Sequence, residues 1–502
     1  MLEVSEIDLI RRLNFDNPWW ESGKSIESPY AEFNRRAYFR SFYNLASNVS
    51  VSRAVILMGP RRVGKTVILY HTIQELLASG VDGNKIMYLS LETPIYTGLH
   101  LESFLNRFID KFNHKRSDRL FVFFDEIQYL KDWELHLKSL VDSYKAIKFI
   151  ASGSAAAALR LKSRESGAGR FTEFMLPPLT FAEYLDFRNR ESELLEEIKP
   201  EHYKATDIEE LNREFINYMN FGGYPEAVFS EQIQKDSSRY IKSDIIDKVL
   251  LRDLPGLYGI SDIQELNRLF TTLAYNTGNE VSLEKLSHTS GVAKNTLKRY
   301  LDYLEAAFLI KRVNRIDQNA RRFQRATHFK VYLTNPTMRS ALFGFLDTDD
   351  KAMGLLAETA VFSQWFHDTN FLDRIFYARW KNGEIDIVYN AQEPSIDWAV
   401  EVKWSDRPYS DTSAWKNLVE FGSRNFQPAK KEDPPNLTIT TKSIHGERLI
   451  DKYRLSFEEC SVYAYRVGKN LVAYRNFWED IDNNWEDIRK EITISPPDPS
   501  EL

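Results

Sequence analysis

Between residues 53 and about 180, five short apolar runs (RAVILMG, KIMYLSLE, RLFVFFDE, KFIASGS and FTEFML) alternate with stretches whose apolar residues recur at helical spacing. Continuous apolar runs of this length suit strands covered on both faces. Their alternation with helices predicts a parallel, doubly wound sheet whose working crevice lies at the strands' C-terminal ends. Residues 1–48 are aromatic and charged, with a helical stretch at YAEFNRRAYFRSFYNL (30–45), and read as a lead-in to the first strand. Past Pro177-Pro178 the period is helical to about residue 260, broken by the turn FGGYP at 221–225, which predicts a helical lid over 181–261. Residues 262–310 predict three helices, and SHTSGVAKNT before the third resembles the turn of a helix-turn-helix, so a winged-helix module is expected over 262–330. From 331 strands return around one helix (HFKVYLTN, LLAETAVFSQWF, RIFYARW, EIDIVYN, WAVEVKW), predicting a further α/β domain over 331–480, with 481–502 as a tail.

Composition narrows the class. The 502 residues exceed what one hydrophobic core usually serves, and 43% hydrophobic with 27% charged residues is the mix of an ordinary globular protein. A single cysteine, Cys460, excludes an internal disulfide and any thiolate-held zinc or iron–sulfur site, which fits a reducing compartment. No run approaches the roughly 18 apolar residues of a membrane span, and the N-terminus lacks a basic start followed by an apolar core, so a cytoplasmic protein with no membrane partner is expected. A net charge of -6 argues against a chain that coats nucleic acid with its whole surface. The segment 311–330 nevertheless carries seven Lys or Arg against one Asp, with Phe323 and Phe329 interleaved, and is the expected place for DNA phosphates if it is not simply a solvated face.

The chemistry concentrates at GPRRVGKT, residues Gly59, Pro60, Arg61, Arg62, Val63, Gly64, Lys65 and Thr66, set between the strand AVILM and a helix opening at Val67. Glycines at 59 and 64 permit the tight turn whose N–H groups, with the helix N-terminus, face phosphates; Lys65 is expected on the β- and γ-phosphates and Thr66 on Mg²⁺. The strand LFVFFDE ends in Asp125 and Glu126, the Walker B arrangement: Asp125 for the Mg²⁺ shell, Glu126 as general base toward the attacking water. ATP with Mg²⁺ is thus the expected cofactor. Ser152 and Ser154 close the next strand and stand either as γ-phosphate sensors or as a plain turn. Arg170, before the fifth strand, and Arg164 in the loop before it are either arginine fingers reaching a neighbour in a homo-oligomer or solvated loop residues.

Taken with DEIQYLKDW (125–133), SGSAAAAL (152–159), GAGRFTEFMLPPLTFAEYL (167–185), FGGYPEAV (221–228) and LLRDLPGLYGI (250–260), the chain resembles prokaryotic AAA+-superfamily ATPases that carry a C-terminal domain of unknown function, over roughly residues 35–410. The resemblance implies a P-loop parallel-sheet ATPase core with helical lid, a winged-helix middle and a C-terminal α/β domain like the restriction-endonuclease, PD-(D/E)xK, nucleases. It also favours the finger role for Arg170. One departure falls in LTNPTMRSALF (333–343), where an Asp and a Gly are expected near Asn335 and Thr337. Nucleases of the PD-(D/E)xK group hold Mg²⁺ or Mn²⁺ on carboxylates beside a lysine. Here Asp386 lies mid-strand, Glu401 and Lys403 share a strand face fifteen residues on, and Glu358 on the preceding helix takes the place of the first acid. Three readings stand: an active nuclease, a nucleic-acid-binding relic, or a structural ion network. The corresponding functions are an ATP-controlled, DNA-engaging nuclease-like machine, or a non-nucleolytic ATP-driven switch or scaffold whose C-terminal domain recruits a partner.

Overall fold

A computed structural model describes residues 5–22, 25–26, 29–154, 169–323, 328–348, 350–390, 396–426, 436–450 and 453–491. They form two compact units: one runs to Pro177 and includes Asn476–Arg489, and the other is built on Pro178–Arg475.

The first unit is a five-stranded parallel sheet of β1 (Ala54–Met58), β2 (Ile86–Ser90), β3 (Leu120–Asp125), β4 (Ile147–Gly153) and β5 (Phe171–Met175), in the order β2-β3-β4-β1-β5. The predicted strands all form. β1, β3 and β4 are buried at every position, which is why they read as continuous apolar runs rather than as alternations. Since β4 lies between β1 and β3, its end at Ser152-Gly153-Ser154 falls between the P-loop and the paired carboxylates.

The stretch read as a lead-in is structural. The Asn17 side chain accepts from the Tyr88 N–H at 2.6 Å and donates to the Tyr88 carbonyl at 2.9 Å, while the indoles of Trp19 and Trp20 donate to the Ile86 carbonyl. Side chains thereby pair the open edge of β2 that would otherwise invite another strand. Tyr38 and Phe42, both fully buried, close against Phe174 of β5 with ring centroids 6.3 and 5.3 Å away.

In the second unit the expected all-helical lid is interrupted. Thr180 caps the helix Phe181–Phe187 with Glu183 in a reciprocal capping box, but β6 (Leu195–Lys199) and β7 (His202–Ala205) then form a hairpin. Pro200, and Glu201 at φ +64°, supply the turn that helical spacing alone did not disclose. Helices Ile263–Tyr275, Leu283–Ser290 and Lys294–Ala306 follow, with β8 (Glu280–Ser282), β9 (Ile310–Ile316) and β10 (His328–Leu333) pairing antiparallel in the order β8-β10-β9.

The same sheet continues through β11 (Ile375–Trp380), β12 (Gly383–Tyr389), β13 (Trp398–Glu401), β14 (Leu437–Thr441), β15 (Gly446–Ile450) and β16 (Tyr453–Glu459), nine strands in all, in the order β15-β16-β14-β13-β12-β11-β9-β10-β8. The boundary drawn at 330 from sequence therefore cuts β10 in half: HFKVYL pairs backward with β9 instead of opening a new domain. The joint between the two halves is β9 beside β11, a parallel pairing of Tyr377 with Arg315 and Ala378 with Ile316. At the local departure, the Asn335 Oδ1 accepts from the Thr337 N–H at 2.9 Å, so the asparagine serves the turn in which an aspartate was expected.

Candidate nucleotide site and carboxylate cluster

The nucleotide site is built where β1, β3 and β4 end. The chain leaves β1 through Gly59, where a Cβ would meet the Leu176 carbonyl oxygen at 2.2 Å, so only glycine fits. Arg62 at φ +66° and Gly64 at φ +94° complete the turn into the helix Lys65–Ala78. Lys65 is buried, with its ammonium on the loop's own carbonyls: Pro60 at 2.8 Å and Gly59 at 3.2 Å. The Arg36 guanidinium, from the N-terminal segment, donates to the Val63 carbonyl at 2.6 Å and to the Pro177 carbonyl at 3.0 Å, bracing the loop from behind.

Across the crevice Asp125 accepts from three hydroxyls: Thr66 at 2.8 Å, Tyr88 at 2.8 Å, and Ser152. Burial, then the neighbouring Glu126, raises the Asp125 carboxyl above its ordinary range, and those hydroxyls oppose the rise. Glu126 sits at φ +54°, its N–H donating to Ser152 Oγ at 3.1 Å and its carboxylate receiving the Gln128 amide. The Gln128 carbonyl oxygen in turn accepts from the Ser154 N–H at 3.2 Å, tying the end of β4 to the general-base candidate. Among the described residues the Ser154 hydroxyl is buried and without a partner, as a group kept for a ligand would be. A threonine hydroxyl and a carboxylate in contact are hard oxygen donors of the kind Mg²⁺ takes, so the residues present fit magnesium nucleotide.

Arg170 is not part of this constellation. It opens β5 at the far end of the sheet, where Ala54 pairs with Phe171, about 13 Å of strand from the P-loop, and it pairs with Asp142 at 3.1 Å. Any finger role therefore belongs to an assembly. Arg164 lies outside the described residues, as do residues 155–159 of the SGSAAAAL run.

The second set of candidates does converge. Asp386 on β12, Glu401 on β13, Lys403 just beyond it and Glu358 on the helix Met353–Gln364 meet in one cluster, but its centre is a residue that sequence reasoning placed in the basic patch. Lys330 of β10, 2% exposed, puts its ammonium 2.8 Å from Glu384, 2.9 Å from Glu358 and 3.0 Å from Asp386. Tyr332 donates to Glu358 at 2.6 Å; the Val402 N–H donates to Asp386 at 3.0 Å; Lys403 reaches Glu401 at 2.6 Å and Asp386 at 3.6 Å. Burial works against ionising Asp386, but Lys330 and then Lys403 outweigh it and hold that carboxyl at about 2. Burial, reinforced by Asp386, pushes Glu401 up to about 8, and among the described residues its buried Oε2 has no partner. Among the described residues no group of three or more His, Cys, Asp or Glu side chains is arranged to hold a metal ion. Of the expected set, Glu358 and Asp386 are gathered around the Lys330 ammonium and Glu401 is held by Lys403, so the residues present do not fit a divalent cation there.

The basic stretch is largely consumed inside its own unit. Lys311 pairs with Glu305, Arg312 with Asp302 and Glu305, Arg315 with Glu280, and Lys330 with the cluster. Of the residues missed from sequence, Gln128 had a legible signal, an amide two positions after the paired acids, and Lys330 had a weak one, a charge inside an apolar strand. Tyr88 and Arg36 had none, because their partners lie 37 and 27 positions away.

This geometry defines a P-loop ATPase domain. The family model described as "AAA domain" matches residues 51–185, and one described as a domain of unknown function (DUF8612) matches residues 212–349. An uncharacterised protein of Haemophilus influenzae is 25% identical over 294 residues, 58% of this chain and 69% of its own length. An uncharacterised protein of Methanocaldococcus jannaschii is 24% identical over 407 residues, 78% of this chain and 82% of its own. A solved structure, the crystal structure of a DNA replication initiation factor, aligns at 13% identity over 57% of this chain and 82% of that one, with a TM-score of 0.27, too low to bear on fold or function.

Proposed function

We propose that the protein binds ATP with Mg²⁺ at the crevice of the first unit, hydrolyses it, and works as an ATP-driven switch for the elements that follow. The observation that carries this is the chain of contacts from Thr66 through Asp125 and Ser152 to Glu126 and Gln128, which links the P-loop to a held carboxylate. Magnesium, when bound, neutralises charge on the phosphates and leaving oxygen. The loop N–H groups and Lys65 bind and orient the triphosphate. Glu126 accepts a proton from the water that attacks the γ-phosphorus, the bond to the β-phosphate oxygen breaks, and ADP leaves. In this scheme Gln128 positions Glu126, and the Ser154 hydroxyl donates to the γ-phosphate.

For the second unit, the order helix, strand, helix, helix, strand, strand over 263–333 supports the winged-helix reading. The helix Lys294–Ala306 exposes Asn295, Lys298 and Arg299, a better place for DNA phosphates than the paired residues of 311–330. The helix Met353–Gln364 followed by β11, β12, β13, the helix Lys416–Asn425 and β14 supports kinship with PD-(D/E)xK domains, whereas the lysine-centred cluster favours a non-nucleolytic part for it.

Isothermal titration and phosphate release on three proteins test the ATPase reading. Wild type should bind and turn over ATP; Lys65→Ala should lose binding at least about tenfold, and Glu126→Gln should keep binding while hydrolysis falls about 10²-fold or more. Turnover by Glu126→Gln equal to wild type would remove Glu126 as the base.

A further inference from the structure

We infer that Lys330 is the resident cation of the carboxylate cluster, and that the cluster is an ion network which excludes a divalent metal for as long as that ammonium is seated in it. The occupancy of the centre decides this. A nuclease-type metal needs oxygen lone pairs from at least two carboxylates aimed at one point. Here the point shared by Glu358, Asp386 and Glu384 holds an ammonium at 2.8–3.0 Å from each, the distance of charge-assisted hydrogen bonds. Most of the remaining acceptors are taken in their turn. The second Asp386 oxygen receives the Val402 N–H, the Glu358 oxygen that meets Lys330 also receives Tyr332, and Lys403 holds Glu401. Glu384 is completed by Arg379 at 3.2 Å, and Arg379 extends the network to Glu280 at 3.7 Å. Among the described residues two acceptors are left over, Glu401 Oε2 and Glu358 Oε2; each belongs to a carboxylate whose other oxygen is held by a lysine, and neither adds the further carboxylates a coordination set needs.

Unit charges 3 Å apart under burial repel far more strongly than surface charges, so a second cation cannot enter beside Lys330. It must replace it. Lys330 belongs to the β8-β10-β9 group of strands, while the carboxylates of β12 and the helix Met353–Gln364 belong to the nuclease-like core, so replacement requires the ammonium to withdraw from between them. The cluster thus joins the winged-helix-like part to the nuclease-like part by charge, and its chemistry in this state is that of a fastening.

Manganese titration of the full chain, followed by electron paramagnetic resonance without nucleotide, tests this. All proteins carry Lys65→Ala, Thr66→Ala and Asp125→Asn, so that the P-loop end binds no ion. In that background the inference expects no Mn²⁺ bound through the C-terminal carboxylates. Adding Lys330→Met should create one site per chain with affinity raised at least about tenfold, as loss of a unit charge about 3 Å from three acids demands. A further Asp386→Asn or Glu358→Gln should abolish it. If Lys330→Met does not fold, the pair Lys330→Gln with Glu384→Gln removes one charge of each sign, leaves Glu358, Asp386 and Glu401, and should gain the same site. Mn²⁺ bound by the background protein and lost with Asp386→Asn would overturn the inference, and so would no gain in the folded lysine variant. ATP turnover by the chain with an intact P-loop is a separate readout, so failure here leaves the ATPase reading standing and the reverse also holds.

Discussion

Lys148 on β4 is a charge in an unfavourable place. It is 4% exposed, its ammonium has the Val51 carbonyl 3.4 Å away, and among the described residues no carboxylate pairs with it. Burial alone lowers it from 10.5 to about 8, a difference worth roughly 3 kcal/mol at most. Below about pH 8 the lysine is charged in folded and unfolded chains alike, and the burial cost stands in full. Between about 8 and 10.5 the folded chain sheds the proton while the unfolded chain keeps it, so stability rises with pH. Lys148→Met should therefore raise the melting temperature at pH 7, with the advantage shrinking in melts recorded above pH 8. An equal gain at pH 7 and pH 10 would show that packing is responsible instead. At this scale legibility depended on whether a residue's partners were close in sequence. GPRRVGKT announces itself because loop, strand and helix are contiguous, whereas the Tyr88 contact with Asp125 and the Lys330 contacts with Glu358, Glu384 and Asp386 are made by folding alone.

The N-terminal segment shows how a stretch can be misjudged when it holds a sheet through side chains and not as a strand of it. Its single buried arginine is the telling residue. Arg36 spends two hydrogen bonds on carbonyls of the P-loop and of the β5 exit, and a bond to a charged donor is worth about 1.5–3 kcal/mol. Arg36→Ala should weaken ATP binding by about tenfold or more and lower the melting temperature, with Arg36→Lys recovering little because a point charge cannot bridge both carbonyls. Nucleotide affinity unchanged in a folded Arg36→Ala protein would separate Arg36 from the site. The hairpin β6–β7 and the misplaced boundary within β10 share one cause. A strand's membership is decided by a pairing partner outside its own run, which here is β7 for β6 and β9 for β10. The strands β1 to β4 were legible because each carries a largely apolar, buried run and helical stretches separate them.

For the whole molecule, the P-loop, the paired acids and their supports all fall within the unit that ends at Pro177, while the lysine-centred cluster falls entirely within the other. Scanning calorimetry should resolve two transitions, of which saturating magnesium nucleotide raises one: a ligand at 100 times its dissociation constant adds about 2.7 kcal/mol to the species that binds it. A single transition moving as a whole would show that the units melt together. Among the described residues no helix is long and apolar enough to cross a membrane.

The nine-stranded sheet is unevenly stitched. Where β9 meets β11 two residue pairs hold the ladder, against five between β9 and β10. Mechanically this is a perforation, and the Lys330 ammonium, reaching from β10 to acids on the opposite side, is the rivet through it. Along that line the sheet is held more by side-chain charge, Lys330 and the Arg315 guanidinium on the Arg379 carbonyl, than by its ladder, and salt or a lost charge would loosen it there.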